Sequence, residues 1–247
     1  MIRRRWMPIA ALGAIALIAG AVTASVLVSA PTGQEPAAST PAGPRGLTTE
    51  EAERLAVARF LAYQDGSRTF HTEVAAGGVA VELTGRADYR AGIGLATATS
   101  GGERAVITWN ATTLVGWTGQ DTSTADGIPT TAPSEPGAAR PLDPAASNVD
   151  TVLVLILALG VDRPENAQLL RQSDAAWLRA DEVDGVRVDV FAGPSDADTG
   201  DGAGTIRYWV DDRGAVHRIE ADLPSGPIVI DIGVEDHVPI IGSPQLG

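Results

Sequence analysis

The chain has 247 residues, 18 basic against 31 acidic side chains and no cysteine, for a formal net charge of -13. That balance is the reverse of the clustered positive charge that a nucleic-acid footprint requires. Without cysteine there are no disulfides, thiolate metal sites, cysteine nucleophiles or lipid-modified cysteine.

The first elements set the compartment. Residues 1–6 carry Arg3, Arg4 and Arg5, and the next 24 residues, Met7 to Ala30, carry no charge. At 1.5 Å per residue this run is long enough to cross a hydrocarbon core of about 30 Å, and its basic flank holds the amino terminus in the cytoplasm. The reading is a cytoplasmic stub over 1–6 and an uncleaved transmembrane signal-anchor over 7–30. The chain is then a single-pass protein of the cell membrane with its carboxy-terminal part extracytoplasmic. A cleavable secretory signal ending at Val28-Ser29-Ala30 is the alternative; the length of the run and Pro31 after the cut weigh against it. Both readings export the same part, and 15 basic against 31 acidic residues remain once residues 1–30 are set aside, a net of -16. Such a surface is repelled by anionic headgroups within the Debye length.

Residues 31–46 are a Pro/Ala/Gly/Ser-rich linker with too little apolar surface to fold. Thr48-Thr49-Glu50-Glu51 has capping-box spacing, with Leu47 and Ala52 as a weak hydrophobic staple. The helix that follows places Ala52, Leu55, Ala56, Phe60 and Tyr63 on one side and ends at Asp65-Gly66. From Arg68 to Thr118 the apolar period changes to two, in about five short segments broken at Gly77-Gly78 and Ser100-Gly101-Gly102, which predicts an antiparallel meander. Residues 119–147 have almost no large apolar side chain and read as a long disordered loop, with a functional loop as the alternative.

Val152 to Leu159 is an unbroken run of eight apolar residues. It is too short to span a bilayer and is apolar all round, which implies burial on every side. A second short helix is expected from Asp162, with Pro164 in its first turn and Leu169 and Leu170 on its face. Strands return over Trp177–Glu182 and Val186–Phe191 around Asp184-Gly185, a favoured hairpin turn. Further strands fall at Thr205–Val210 and Ala215–Ala221, around Asp211-Asp212-Arg213-Gly214, and at Ile228–Ile232.

This order resembles the lipoprotein-carrier (LolA) fold, and more closely the LppX/LprAFG-type envelope lipoproteins of actinobacteria. The segments that carry the resemblance are Glu182 to Val188 (EVDGVRV) and Arg207 to Ile219 (RYWVDDRGAVHRI), over an element order spanning residues 47–247. The resemblance implies an α+β domain: a strongly curved antiparallel sheet, or half-barrel, with an amino-terminal helix and a helical insertion on the concave face. It further implies an apolar cavity for acyl chains, and small residues at Gly94, Ala96 and Ala98 would leave room on that face. The chain departs from the lipoproteins in having no lipobox cysteine, so a peptide anchor stands in place of a lipid one.

The chemistry-bearing residues give little. His71, His217 and His237 have neither helical pairing nor zinc-hydrolase spacing, and no nucleophile elbow or P-loop is present. The acidic loop Asp196–Gly202 lacks calcium-loop spacing, with Arg207 where a bidentate glutamate belongs, and reads as a solvated strand connection. Trp109, Trp117, Trp177 and Trp209 read as core or rim packing, with indole N–H groups that need partners if buried. No metal, cofactor, catalysis or nucleic-acid partner is expected.

The expected function is that of a membrane-tethered extracytoplasmic binding protein with a hydrophobic cavity for lipid or lipid-like ligands. The cavity would be lined by Val152, Leu153, Leu155, Ile156, Leu159, Phe60 and Trp109. The alternative is a protein-interaction or sensor domain with a filled core, whose partner is an envelope protein.

Overall fold

The computed structural model describes residues 43–119, 127–195, 206–223 and 226–241. The anchor and most of the linker, as well as the acidic loop Asp196–Gly202, lie outside the described residues. Among those described, no helix is long and apolar enough to cross a membrane.

Helix α1 runs from Thr49 to Asp65, and its start is the capping box. The Glu51 amide donates to the Thr48 hydroxyl at 3.3 Å, and the Thr48 amide to the Glu51 carboxylate at 2.9 Å. Arg45 adds two bonds to that carboxylate, each 2.7 Å. Arg45, followed by the Thr48 donors, holds the Glu51 pKa down to about 2 against the cost of burial. The helix stops where Gly66 takes φ +91° and donates to the Ala62 carbonyl. Its buried side is largely alanine, with Ala52, Ala56, Ala58 and Ala62 beside Leu55. Phe60 and Tyr63, expected on that side, are half-buried.

Five strands follow as expected: β2 (Ser67–Ala76), β3 (Val79–Asp88), β4 (Ile93–Ser100), β5 (Glu103–Trp109) and β6 (Thr113–Thr118). A short β7 (Ala138–Pro141) precedes helices α2 (Asn148–Ala158) and α3 (Ala167–Gln172). The last strands are β8 (Ala176–Val183), β9 (Val186–Ala192), β10 (Arg207–Val210), β11 (Val216–Leu223) and β12 (Gly226–Gly233). Asp184 and Gly185 at the β8–β9 turn both take positive φ, 49° and 81°, as a type I′ hairpin requires.

All twelve strands form one antiparallel, curved open sheet, once the two-residue β1 (Arg45–Gly46) is included. The order is β1-β8-β9-β10-β11-β12-β2-β3-β4-β5-β6-β7, so the β12–β2 pairing joins the two halves of the chain. The main core unites α1, α2 and one face of this sheet, which is the half-barrel with helices on its concave side.

Two elements differ from the sequence reading. The second short helix begins at Ala167 instead of Asp162: Asn166 caps it by accepting from the amides of Gln168 and Leu169. The residues before it are a strap on α1, with Val161 N–H on the Arg59 carbonyl at 3.2 Å and Glu165 N–H on the Ala56 carbonyl at 2.9 Å. The 119–147 stretch is structured in its described part, 127–147. The guanidinium of Arg86, buried on the sheet, donates to the carbonyls of Pro129 and Val238 and pairs with Asp236 at 2.9 Å. Trp117 donates to the Glu135 carbonyl at 2.8 Å. Together these bonds lay residues 128–136 and 236–241 over a second small core of Leu95, Val106, Val115, Trp117 and Ile240.

Candidate functional site

The seven residues expected to line a cavity are brought together, but around filled space. Val152, Leu153, Ile156 and Trp109 are wholly buried and Leu159 nearly so, while Leu155 and Phe60 are half-buried. Trp109 explains this. Its indole N–H donates to the Leu153 carbonyl at 2.9 Å, which pins α2 to β5. Its ring meets Phe70 edge-on, with centroids 6.0 Å apart.

Gly94 of β4 serves the same ring. A Cβ added at Gly94 would lie 2.1 Å from Trp109 Cζ2, and the missing side chain is the room the indole occupies. The expected vacancy beside Gly94 is therefore taken by the protein itself, and none of the five principal hollows among the described residues is lined by Val152, Leu153 or Ile156.

The α2 side is closed at its ends as well. Asp150, buried at the first turn of α2, accepts two bonds from Arg140 on β7, 2.6 and 2.7 Å, and one from the Asp143 amide at 2.8 Å. Burial alone would raise this carboxyl; these donors and the Ser147 cap overcome it and hold the pKa below the usual range. At the other end, a Cβ on Gly160 would strike the Tyr89 ring at 2.4 Å, and burial pushes the Tyr89 phenol up to about 12.

Space remains on the other side of α1. A slot of about 20 Å³ lies between Leu55 and Ala58 of α1, Leu170 of α3, and Gly193, Pro194 and Tyr208 at the β9–β10 border. It shares Glu165, Leu170 and Pro194 with an open mouth of about 350 Å³ that also involves Leu169, Asn166 and Ser173. Leu169 stands 63% exposed at this mouth.

The rim is polar and organised by one residue. Arg59 donates to the Ala158 carbonyl at 2.6 and 2.9 Å and pairs with Glu165 at 3.0 Å. It thus joins α1, the end of α2 and the strap before α3. Tyr208 lies beneath, its phenol raised by burial. A side chain at Gly193 would come within 3.1 Å of the Tyr208 ring, so glycine lets the strand lie against it.

A larger hollow of about 560 Å³ lies at the β8–β9 hairpin, lined by Arg54, Arg187, Asp189 and Asp212 among others. It is wide open, and Ala180, Gly185, Val186 and Val188 line it beside these charged groups. Arg54 pairs there with Asp189 at 2.6 Å and lies over Phe191 at 5.6 Å.

The four tryptophans among the described residues behave alike. Trp177 donates to Asp189 at 2.8 Å and Trp209 to Asp181 at 2.9 Å, so with Trp109 and Trp117 every one of the four indole N–H groups is satisfied. The histidines have structural partners too: His217 meets Asp211 at 3.2 Å, His237 the Ser67 carbonyl and His71 the Thr84 hydroxyl, each at 3.0 Å. No group of three or more His, Asp or Glu able to hold a metal occurs among the described residues.

No family model matches the chain, and no curated protein does. Solved structures similar to it include the lipoprotein LppX of Mycobacterium tuberculosis, 12% identical over 75% of this chain and 93% of that one, with a TM-score of 0.41. LprF from Mycobacterium bovis is 15% identical over 79% and 98%, also at 0.41. A DUF1329 family protein from Desulfovibrio piger is 12% identical over 75% and 91%, at 0.30.

Proposed function

We propose that the chain is a membrane-tethered, extracytoplasmic binding protein of the cell envelope that takes an acyl-bearing, lipid-like ligand. The uncharged 24-residue run behind three arginines is the basis for the tether and for the side of the membrane. The observation that carries the ligand reading is the apolar groove beside α3, open at Leu169 and narrowing between Leu55, Ala58, Leu170 and Tyr208. An alkyl chain laid there would cover exposed apolar surface at about 25 cal/mol per Å². The polar rim of Arg59, Glu165 and Asn166 would meet the ligand's more polar end. The role is one of binding, with no catalytic step assigned.

The full chain would be purified from cells in mild detergent and analysed by native mass spectrometry and solvent extraction, followed by titration with a fluorescent fatty acid. The expected result is uptake that falls several-fold in Leu169→Ser, which removes the apolar side chain at the mouth, with the fold retained. Protein that is always empty and takes up no acyl probe would overturn the reading.

A second reading, an interaction or sensor domain with a filled core, is favoured by one observation: Val152, Leu153 and Ile156 have no exposed surface. Recovery of an envelope protein in one-to-one association with lipid-free chain would favour it over the first.

A further inference from the structure

Strand β8 stands at one border of the sheet. β9 pairs with it from Ala176 to Val183, whereas β1 covers its outer side only at Ala176 and Trp177. Among the described residues no strand pairs with the outer side of Arg179–Val183, and Arg179, Ala180, Asp181 and Glu182 are exposed. Such a border presents free amides and carbonyls and is a template for another strand. The opposite border differs. β7 has four residues and ends in Pro141, which has no amide to offer a neighbouring strand.

We propose that the outer border of β8 pairs with the same border of a second copy of this chain, antiparallel and centred on Ala180. In an isologous antiparallel pair the facing residues lie on the same side of the sheet, and the two-fold axis runs midway between the two copies of the residue that faces itself. The bulge at Trp177/Arg179 puts Arg179 and Asp181 on the convex side. There Arg179 lies over the Trp209 ring at 5.5 Å and pairs at 3.0 Å with Asp181 of its own chain, which also accepts the Trp209 N–H, so a second copy would extend this pair into a four-charge cluster.

The order of charges then selects the register. Centring on Arg179 sets arginine against arginine, centring on Asp181 sets aspartate against aspartate, and centring on Glu182 sets glutamate against glutamate. Only the Ala180 register sets Arg179 against Asp181, twice, around a pair of alanines small enough for close approach; opposite charges directly across are favourable and like charges are not. The same charges oppose arbitrary strands and slipped registers. The chain's own upstream segment is a poor competitor. Pro44 and Pro41 are three apart, so in a continued β1 one of them would face β8 without an amide.

The lack of native cysteine allows a clean test in the full chain, in detergent micelles or membranes. Residues that face each other in an antiparallel pair have Cα atoms about 4.5–5.5 Å apart, within disulfide range. Under mild oxidation Ala180→Cys is expected to form a covalent dimer several-fold faster than Ala139→Cys on β7. Adding Arg179→Asp, or Asp181→Arg, to Ala180→Cys should abolish that advantage, and adding both should restore it, because the exchanged charges again face each other. Hydrogen exchange at 179–183 in the unsubstituted chain should slow as protein concentration rises, a readout independent of the variants' folding. Cross-linking of Ala180→Cys no faster than Ala139→Cys, or indifferent to charge order, or exchange independent of concentration, would overturn the proposal.

Discussion

The two sides of α1 make opposite use of the same concave surface. Toward α2, one small strand residue faces one large ring: Gly94 yields its volume to Trp109, and the indole N–H fixes the helix that covers it. Toward α3, the helix is short: its Arg171 bonds Thr49 of α1 at 3.1 Å, and the strap before it is held by Arg59 and two amides. Leu169 is left in the open there. An apolar helix is therefore a poor marker of a ligand cavity. Space persists where the covering helix is short and buries Leu170 while leaving Leu169 outside.

The largest effect should come from the filled side. Trp109→Ala removes a wholly buried ring together with the bond to α2, and a loss of about 3–5 kcal/mol in denaturant unfolding is expected. A loss below 1 kcal/mol would place the core elsewhere. Asp150→Asn keeps the shape but leaves Arg140 without its charge partner. Arg140 is half-exposed, so hydration softens the penalty to about 2 kcal/mol.

The pH dependence has the sign of a depressed carboxyl. Asp150 contributes stability that is present above its unfolded pKa and lost as pH falls through the lower folded one. Glu51 acts likewise between its ordinary 4.5 and about 2. Glu51→Gln should cost about 1 kcal/mol at neutral pH and flatten part of the acid limb of stability against pH. An unchanged limb would show that Glu51 is not paired in solution.

The smallest stability effect belongs to the open side. Leu169→Ser should change unfolding by no more than about 0.5 kcal/mol while weakening acyl-probe uptake several-fold. The reverse outcome, lost stability with uptake intact, would move the binding surface away from α3.

Much of the fold was legible in the sequence because its signals are local. Thr48 and Glu51 make the helix start through bonds three residues apart, Asp184-Gly185 supplies two positive φ angles, and period-two alternation marks β2 to β6. The site was less so, since it depends on where distant groups meet. That Gly94 accommodates Trp109 is a cross-strand fact, invisible to a count of small residues. The polar stretch before α2 gains its order from a buried Arg86 more than 40 residues upstream. The start of α3 was misplaced because Pro164 suits a first turn as well as a strap, and the Asn166 cap decides between them.

The two sides of α1 differ in where space lies, and photolabelling tests that difference most directly. A fatty acid carrying a diazirine near the end of its chain would be equilibrated with the full chain in mild detergent, irradiated, and mapped by peptide mass spectrometry. Label on the peptides of Leu169–Leu170 and Tyr208 is the result this structure predicts. Label concentrated on Leu153 and Ile156 of α2, with α3 unmarked, would contradict it.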